Sequence, residues 1–495
     1  MARRVRDVVR QLLFAFPVGL SRLGLVDRRK AEEAFDLAIP AMITGGLRTV
    51  LRTADFLMVS IAEGAVAVAA LELGFQYYFI PFGLALALTS GTISVVSRFK
   101  GAGDDREADF AIKQTLWLSL LLAVPITLLT WIYAEPLIGI LTDDPDAIAL
   151  GGIYLRIVML SVAFRFWSMT AARALAGAGD TRTPMYVRLV TLPTNIVLNA
   201  VLIFGLLGFP ALGIAGAAIG TAIANTVAAL VFLAILLSGR WPVALHLGGK
   251  QWDWSIAREL VRVAMPLAGT RLSRTLGRFP FLFVLGVLGT PVLAAYAIAR
   301  RVMLLAMMPA WGYSTASSTL VGQHVGAGEM EEAESYGWQT LRIALITQLL
   351  IAALIVAAAR PLALAFGTAY TDLTVTFVRV FGLVVAGFSI SRTMRGGLRG
   401  AGDTRWPLYG GLLGTYAVRL PIAFVALPIG FAITLGPWIV GGVTIPGLSV
   451  SPGLGWGLTA IFVAILGDMY TRAAINVFRF QSGAWREYGR PTTAE

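Results

Sequence analysis

The 495-residue chain has no cysteine and two histidines, and only 14% of its residues are charged. Without cysteine there is no disulfide framework, no thiolate metal site and no thiol chemistry. His246 and His324 fall outside the apolar segments described below, and there is no zinc-protease motif. No lysine lies deep in an apolar segment to serve a Ser–Lys pair, and no loop resembles a nucleotide-binding motif. An enzyme is therefore not expected, nor is direct use of ATP. A soluble protein carries roughly a quarter charged residues. Here 57% of residues are hydrophobic, many of them in runs that reach the about 20 residues needed to cross a bilayer. A multi-pass membrane protein with the lipid bilayer as its partner is expected. The net charge of +12 fits basic loops on the inner side of a membrane better than contact with nucleic acid.

Twelve apolar segments can be marked, at about 37–60, 65–97, 110–134, 150–174, 184–206 and 212–238, then 259–287, 291–321, 337–359, 374–396, 407–430 and 453–477. With the amino terminus inside, the inner segments hold Arg98, Lys100, Arg106, Arg182, Arg240, Lys250, Arg405 and Arg479, and the outer loops hold Asp143, Asp144, Asp146 and Asp372. This positive-inside asymmetry places both termini in the cytoplasm. The basic start, residues 1–35, reads as an amphipathic segment on the inner membrane surface.

The two halves share phrases. GAGDTRTPMY (Gly177 to Tyr186) returns as GAGDTRWPLY from Gly400, KGAGD (Lys100 to Asp104) as VGAGE from Val325, and AIPAMITGGLRTVLR (from Ala38) as AMPLAGTRLSRTLGR from Ala264. Six spans per half make the repeat a parallel one, with any central site between the halves. The expected fold is all-α, with twelve transmembrane helices in two six-helix bundles related by a pseudo-two-fold axis. The bundles occupy 36–238 and 259–478, with a cytoplasmic linker at 239–258 and a tail at 479–495. In each GAGDTR turn, glycine permits a tight backbone and Asp can cap the next helix.

The ordered set of these turns, with LAAYAIARRVMLLAMMPAWGYSTASSTLVGQHVGAG in the eighth segment, resembles the multidrug and toxic compound extrusion (MATE) family, most closely its DinF-like branch. The resemblance covers the chain from Asp36 to about Arg479. It implies a secondary antiporter of the cell membrane that moves H⁺ or Na⁺ inward and a small organic solute outward by alternating access. It implies no other cofactor. One chain holds both halves, so a monomer is expected.

Ionisable groups inside membrane helices are costly and are functional candidates by default. Asp55 matches the acidic residue that the family implicates in coupling. It is expected to hold H⁺, or Na⁺ as the one metal site. The other reading is an interfacial pair with Arg52. Glu72 in the second helix either faces Asp55 or sits at the interface. Asn195 and Asn199 lie one turn apart in the fifth helix, where they coordinate the ion, bond Asp55 or act as interhelical glue. Some relatives carry Asp at the second position, so Asn199 leaves a two-carboxylate site in doubt.

The arginines depart from the family pattern. Arg48 and Arg52 in the first helix, and Arg271, Arg274 and Arg278 in the seventh, form matching stripes expected to face each other across the cleft. Arg301 and Arg419 join them as candidate substrate contacts. Arg173, Arg395 and Arg399 are expected to snorkel to the inner interface. Met303 stands where many relatives carry Glu, which leaves the second half with almost no buried acid. A basic cleft favours an anionic solute through bidentate guanidinium contacts. The rival reading is a flippase of the same superfamily for a lipid-linked or phosphate-bearing substrate.

Overall fold

The computed structural model describes residues 15–366, 370–435, 438–440, 443–445 and 448–488. Its architecture follows the repeat. Among the described residues, nine helices are long and apolar enough to cross a bilayer, and the pair Pro145–Leu160 and Val162–Gly177, bent by 48°, makes a tenth. The remaining two spans are the first and the seventh, whose helices carry the arginines that lower their hydropathy.

In the first half, one continuous helix, Arg28–Gly101, contains the first two spans and breaks at Gly64, where φ is 77°. The third span is Asp105–Gly139, the bent pair is the fourth, Arg182–Phe204 the fifth and Gly213–Leu237 the sixth. In the second half, Trp254–Leu276 with Arg278–Val287 makes the seventh span, and Thr290–Met307 with Pro309–Gly326 the eighth. Met330–Ala357, Thr371–Gly400, Arg405–Val425 and Gly457–Gln481 are the ninth to twelfth. The molecule is an all-α membrane protein of twelve spans in two six-span bundles.

Three features lie outside the sequence reading. The seventh helix begins at Trp254 rather than 259. The stretch between the last two spans forms two short antiparallel pairs, Ile433–Leu435 with Leu448–Val450 and Trp438–Val440 with Val443–Ile445. The described part of the basic start also packs on protein: Leu20 and Val26 are buried with Phe35, Tyr313 and Ile343.

Four turns of one design mark the face that carries the amino-terminal helix, called here the basic face. Gly103, Gly179, Gly328 and Gly402 all have positive φ, between 76° and 92°. After each, the next residue's N–H reaches back across the helix end: Asp104 to Phe99, Asp180 to Leu175, Glu329 to His324 and Asp403 to Leu398, at 2.8–2.9 Å. This is the left-handed glycine stop of an α-helix, which satisfies carbonyls that the helix leaves open. Asp180 Oδ1 then accepts from the N–H groups of Arg182 and Thr183, at 3.0 and 2.9 Å, and so starts the fifth helix.

The first glycine of each turn sets a helix crossing. A Cβ on Gly101 would lie 1.8 Å from Gln323 O, and one on Gly326 would lie 1.9 Å from Arg98 O. The second and eighth spans therefore touch backbone to backbone across the two halves. Gly177 and Gly400 repeat the device within each half, against Ile93 O and Ser318 O. Lipid supplies no hydrophobic drive between helices, so close approach at small residues carries the association. The linker is also tied down. Lys113 Nζ donates to Gly248 O at 2.8 Å, Gln114 Nε2 to Gln251 O at 2.7 Å, and the Ala244 N–H to Asp109 Oδ1 at 2.8 Å.

Candidate functional site

Asn199 Nδ2 donates to Asp55 Oδ1 at 2.7 Å and lies 3.2 Å from Asn195 Oδ1. Asn195 Nδ2 donates to Gly220 O at 3.3 Å. This polar chain links the first, fifth and sixth spans. Asp55 is half-buried, and both asparagines are buried. The i, i+4 spacing puts both amides on one helix face. Gly220 makes room for them, because a Cβ there would meet Asn199 Oδ1 at 2.0 Å. Asn199 Oδ1 is buried with no hydrogen-bond partner. One carboxylate and two amide oxygens are hard oxygen donors, which suit a proton or an alkali cation. No cluster of three or more acidic, His or Cys side chains that could hold a metal exists among the described residues. Glu72 accepts from Gln76 Nε2 on its own helix, at 3.0 Å. Glu63, which the sequence reading missed, accepts at 3.0 Å from the Ile214 N–H in the first turn of the sixth helix.

The second half holds buried acid where the sequence reading expected almost none. Asp468 is 4% exposed. It pairs with Arg472 Nε at 2.5 Å and lies 3.7 Å from Arg419 Nη1. Arg472 Nη2 also donates to Thr415 Oγ1 at 2.6 Å. Thr415 and Arg419 belong to a π-helical segment, Leu413–Arg419, in the eleventh span. Such segments are rare and frequent at functional sites. Gly414 lets Asp468 approach, since a Cβ there would stand 2.6 Å from its Oδ1. Arg419 lies 3.8 Å from the centroid of the Phe281 ring. Of the expected substrate contacts, Arg419 is thus already engaged by Asp468 and Phe281.

The other arginines separate by place. The side chains of Arg48 and Arg52 lie outside the described residues. Arg301 is exposed beside Leu304 and Leu305, on the helix face away from buried Val302 and Met303. Arg278 is exposed and within electrostatic reach of Arg300 and Arg419. Arg173, Arg395 and Arg399 do not all snorkel as expected. Arg173 Nη1 donates to Thr315 Oγ1 at 3.3 Å, and Arg399 donates to Ser318 Oγ at 3.1 Å and Ser314 O at 3.0 Å. Arg392 stands 4.2 Å over the ring of Trp311. Three guanidiniums from both halves thus lie along two turns of the eighth span, about 10 Å. Arg271 is within electrostatic reach of Arg173. Arg395 is within reach of Arg399 and Arg271, and Arg274 of Arg395 and Arg271. Among the described residues, no ion pair engages Arg173, Arg271, Arg274, Arg392, Arg395 or Arg399.

The halves meet below this cluster. Ser94 Oγ donates to Arg399 O, Thr319 Oγ1 to Ala176 O, Gln323 Nε2 to Gly177 O, and Arg98 pairs with Glu259. Nearer the basic face, Tyr336 OH donates to Glu33 Oε2, and Lys30 Nζ lies 2.7 Å from Glu332 Oε2. These bonds close the basic face. Above them Arg274 and Trp311 are exposed, and the arginine cluster along the eighth span is called here the floor. Met303 and Tyr78 are buried core, and Tyr77 OH donates to Leu137 O. An apolar recess of about 310 Å³ opens between the second, third and seventh spans at Leu88, Leu122 and Met265, and has no charged lining residue.

A family model described as MatE matches residues 40–201 and 266–425, one block in each half. A probable multidrug resistance protein NorM of Thermotoga maritima is 27% identical over 460 residues, 92% of this chain and 93% of the relative. A protein of the same description from Bradyrhizobium diazoefficiens is 29% identical over 427 residues, 82% and 89% of the two chains. A crystal structure described as MATE in the bent conformation superposes with a TM-score of 0.80 at 23% identity, covering 92% of this chain and 96% of that one. A Pyrococcus furiosus structure superposes with a TM-score of 0.79 at 22% identity, covering 92% and 95%. It is reported under the words "Reverse polarity of binding pocket suggests different function of a MOP superfamily transporter".

Proposed function

The chain belongs to the MatE family, and from that premise we propose that it is a secondary antiporter that exports a small organic solute or drug in exchange for H⁺ or Na⁺. The observation that carries this reading is the bond from buried Asn199 to Asp55, which ties the first span to the fifth. In this account Asp55 binds the ion, with the oxygens of Asn195 and Asn199 beside it. Binding removes the carboxylate's charge and changes its demand on Asn199. The first span can then reseat against the fifth, near Pro193. Proline inside a helix is a common place for such bending. The closed basic face is the cytoplasmic one, with both termini on the cytoplasmic side of the cell membrane, and the protein works as a monomer. The solute carries negative charge, in keeping with the arginine floor.

The test is transport in proteoliposomes. Wild type and Asp55→Asn would be compared under an imposed pH or Na⁺ gradient, with an organic cation and an organic anion as cargo. The reading predicts gradient-driven flux that is lost in Asp55→Asn. Undiminished flux in the mutant would return Asp55 to a structural role. Gradient-independent flux of a lipid-linked substrate alone would favour the flippase.

A further inference from the structure

We propose that the floor of the cleft is a binding site for a multivalent anion, held between the halves by Arg173 of the first and Arg271, Arg392, Arg395 and Arg399 of the second. This rests on the transporter reading and deepens it, by naming the charge class of the solute and where it sits. Three observations carry it. First, three of the guanidiniums come from both halves yet converge on one helix. Thr315, Ser314, Ser318 and Trp311 of the eighth span receive Arg173, Arg399 and Arg392. Second, the cluster is uncompensated. The nearby carboxylate Asp468 is committed to Arg472 and Arg419, and no described ion pair reaches the floor. Arg392 Nε is buried with no hydrogen-bond partner. Third, the floor lies just above the bonds that close the basic face, at Ser94, Thr319 and Gln323.

Several positive charges shielded from bulk water repel strongly, and an anion relieves the repulsion. A single carboxylate accepts one guanidinium fork. Five guanidiniums call for a ligand with two or more anionic groups, such as a diphosphate or a tricarboxylate. Arg173 and Arg399 come from opposite halves and reach neighbouring residues of the eighth span, Thr315 and Ser314. A bound anion therefore draws the halves together at the basic face, and an empty floor favours their separation there.

The test is equilibrium binding to the purified full-length protein, with no gradient required. Inorganic pyrophosphate, citrate and acetate would be titrated by calorimetry, with tryptophan fluorescence as a second readout because Arg392 covers Trp311. Pyrophosphate and citrate are expected to bind at least tenfold more tightly than acetate, and to weaken as salt is raised. Arg271→Gln and Arg395→Gln should each lower affinity roughly tenfold, the loss of one charged hydrogen-bonding group. Arg156→Gln, which alters a surface pair with Glu135, should leave it unchanged. Arg271→Lys keeps the charge without the fork and should fall between, so the answer stands even where the Gln variant folds poorly.

Nanodiscs of phosphatidylcholine with and without phosphatidic acid separate the two sources of phosphate. Competition between phosphatidate and pyrophosphate assigns the floor to a lipid headgroup, and its absence assigns the floor to a soluble anion. Equal affinity for acetate and pyrophosphate, or affinity indifferent to Arg271 and Arg395, overturns the proposal. That result would leave ion-coupled transport of another solute intact. A protein that binds pyrophosphate but shows no gradient-driven flux would instead fail the antiporter reading alone.

Discussion

Asn199 is held at one end of its amide: Nδ2 donates to Asp55, while Oδ1 packs against Gly220 with no hydrogen-bond partner. Asn199→Ala removes the described donor to Asp55. The expected cost in stability is about 1–3 kcal/mol, and gradient-driven flux should fall at least tenfold while the protein stays folded in detergent. The pair at Asp468 behaves differently. Arg472→Ala strands a buried carboxylate, and such single removals cost about 3–5 kcal/mol. Asp468→Asn with Arg472→Gln should cost less than Arg472→Ala alone, read as melting temperature in detergent. Asn195 and Asn199 stood out in the sequence as polar residues one turn apart in an apolar helix, and Asp55 as an acid within a span that matches the family's acidic position. Asp468 did not. Its partner lies one turn on in the same helix, and a charged pair at that spacing looks the same from sequence whether it faces an interface or a core.

At the scale of elements, the turns were legible and the crossings were not. GAGD spells a helix stop in local chemistry alone, so its three copies and the variant GAGE announce four helix ends. That Gly101 and Gly326 also carry the contact between the halves depends on a partner helix more than 200 positions away. Gly101→Ala should lower the melting temperature and loosen the basic face, because overpacking costs about 1–3 kcal/mol and the obstacle is backbone, not a side chain that can turn aside.

The start of the seventh helix shows the same division. Asp253 Oδ1 accepts from the Ser255 N–H at 2.7 Å. Lys250 first, and then Ser255, hold its carboxyl below the usual carboxylate range. A depressed pKa gives stability that is complete above the unfolded value, near about 4, and is lost as pH falls below it. The gap in melting temperature between wild type and Asp253→Asn should be constant from neutral pH down to about pH 5 and shrink below about pH 4. The two strand pairs between residues 433 and 450 were not expected. Short apolar stretches beside long apolar spans carry no periodicity that separates strand from loop.

At the scale of the molecule, the two repeats are held together at the basic face, and the proposed antiport requires that face to open. Lys30–Glu332, Arg98–Glu259 and the hydroxyl contacts of Ser94 and Thr319 close the basic face. For the cleft to open there, those bonds must break together while new ones form at the far face. The repeat and the spans were legible because both are periodic features of the chain. Which face is closed was not, since it depends on side chains that meet only after folding.

The cysteine-free chain allows a direct measurement of this change. Spin labels would be placed at Ala102→Cys with Ala327→Cys on the basic face, and at Asp143→Cys with Arg360→Cys on the opposite one. Distances would be read by double electron–electron resonance in nanodiscs as pH is lowered and as Na⁺ is raised. The account predicts that one of these ions lengthens the first distance and shortens the second, and that Asp55→Asn abolishes the response. Distances that ignore both ions, or that respond equally in Asp55→Asn, would contradict it.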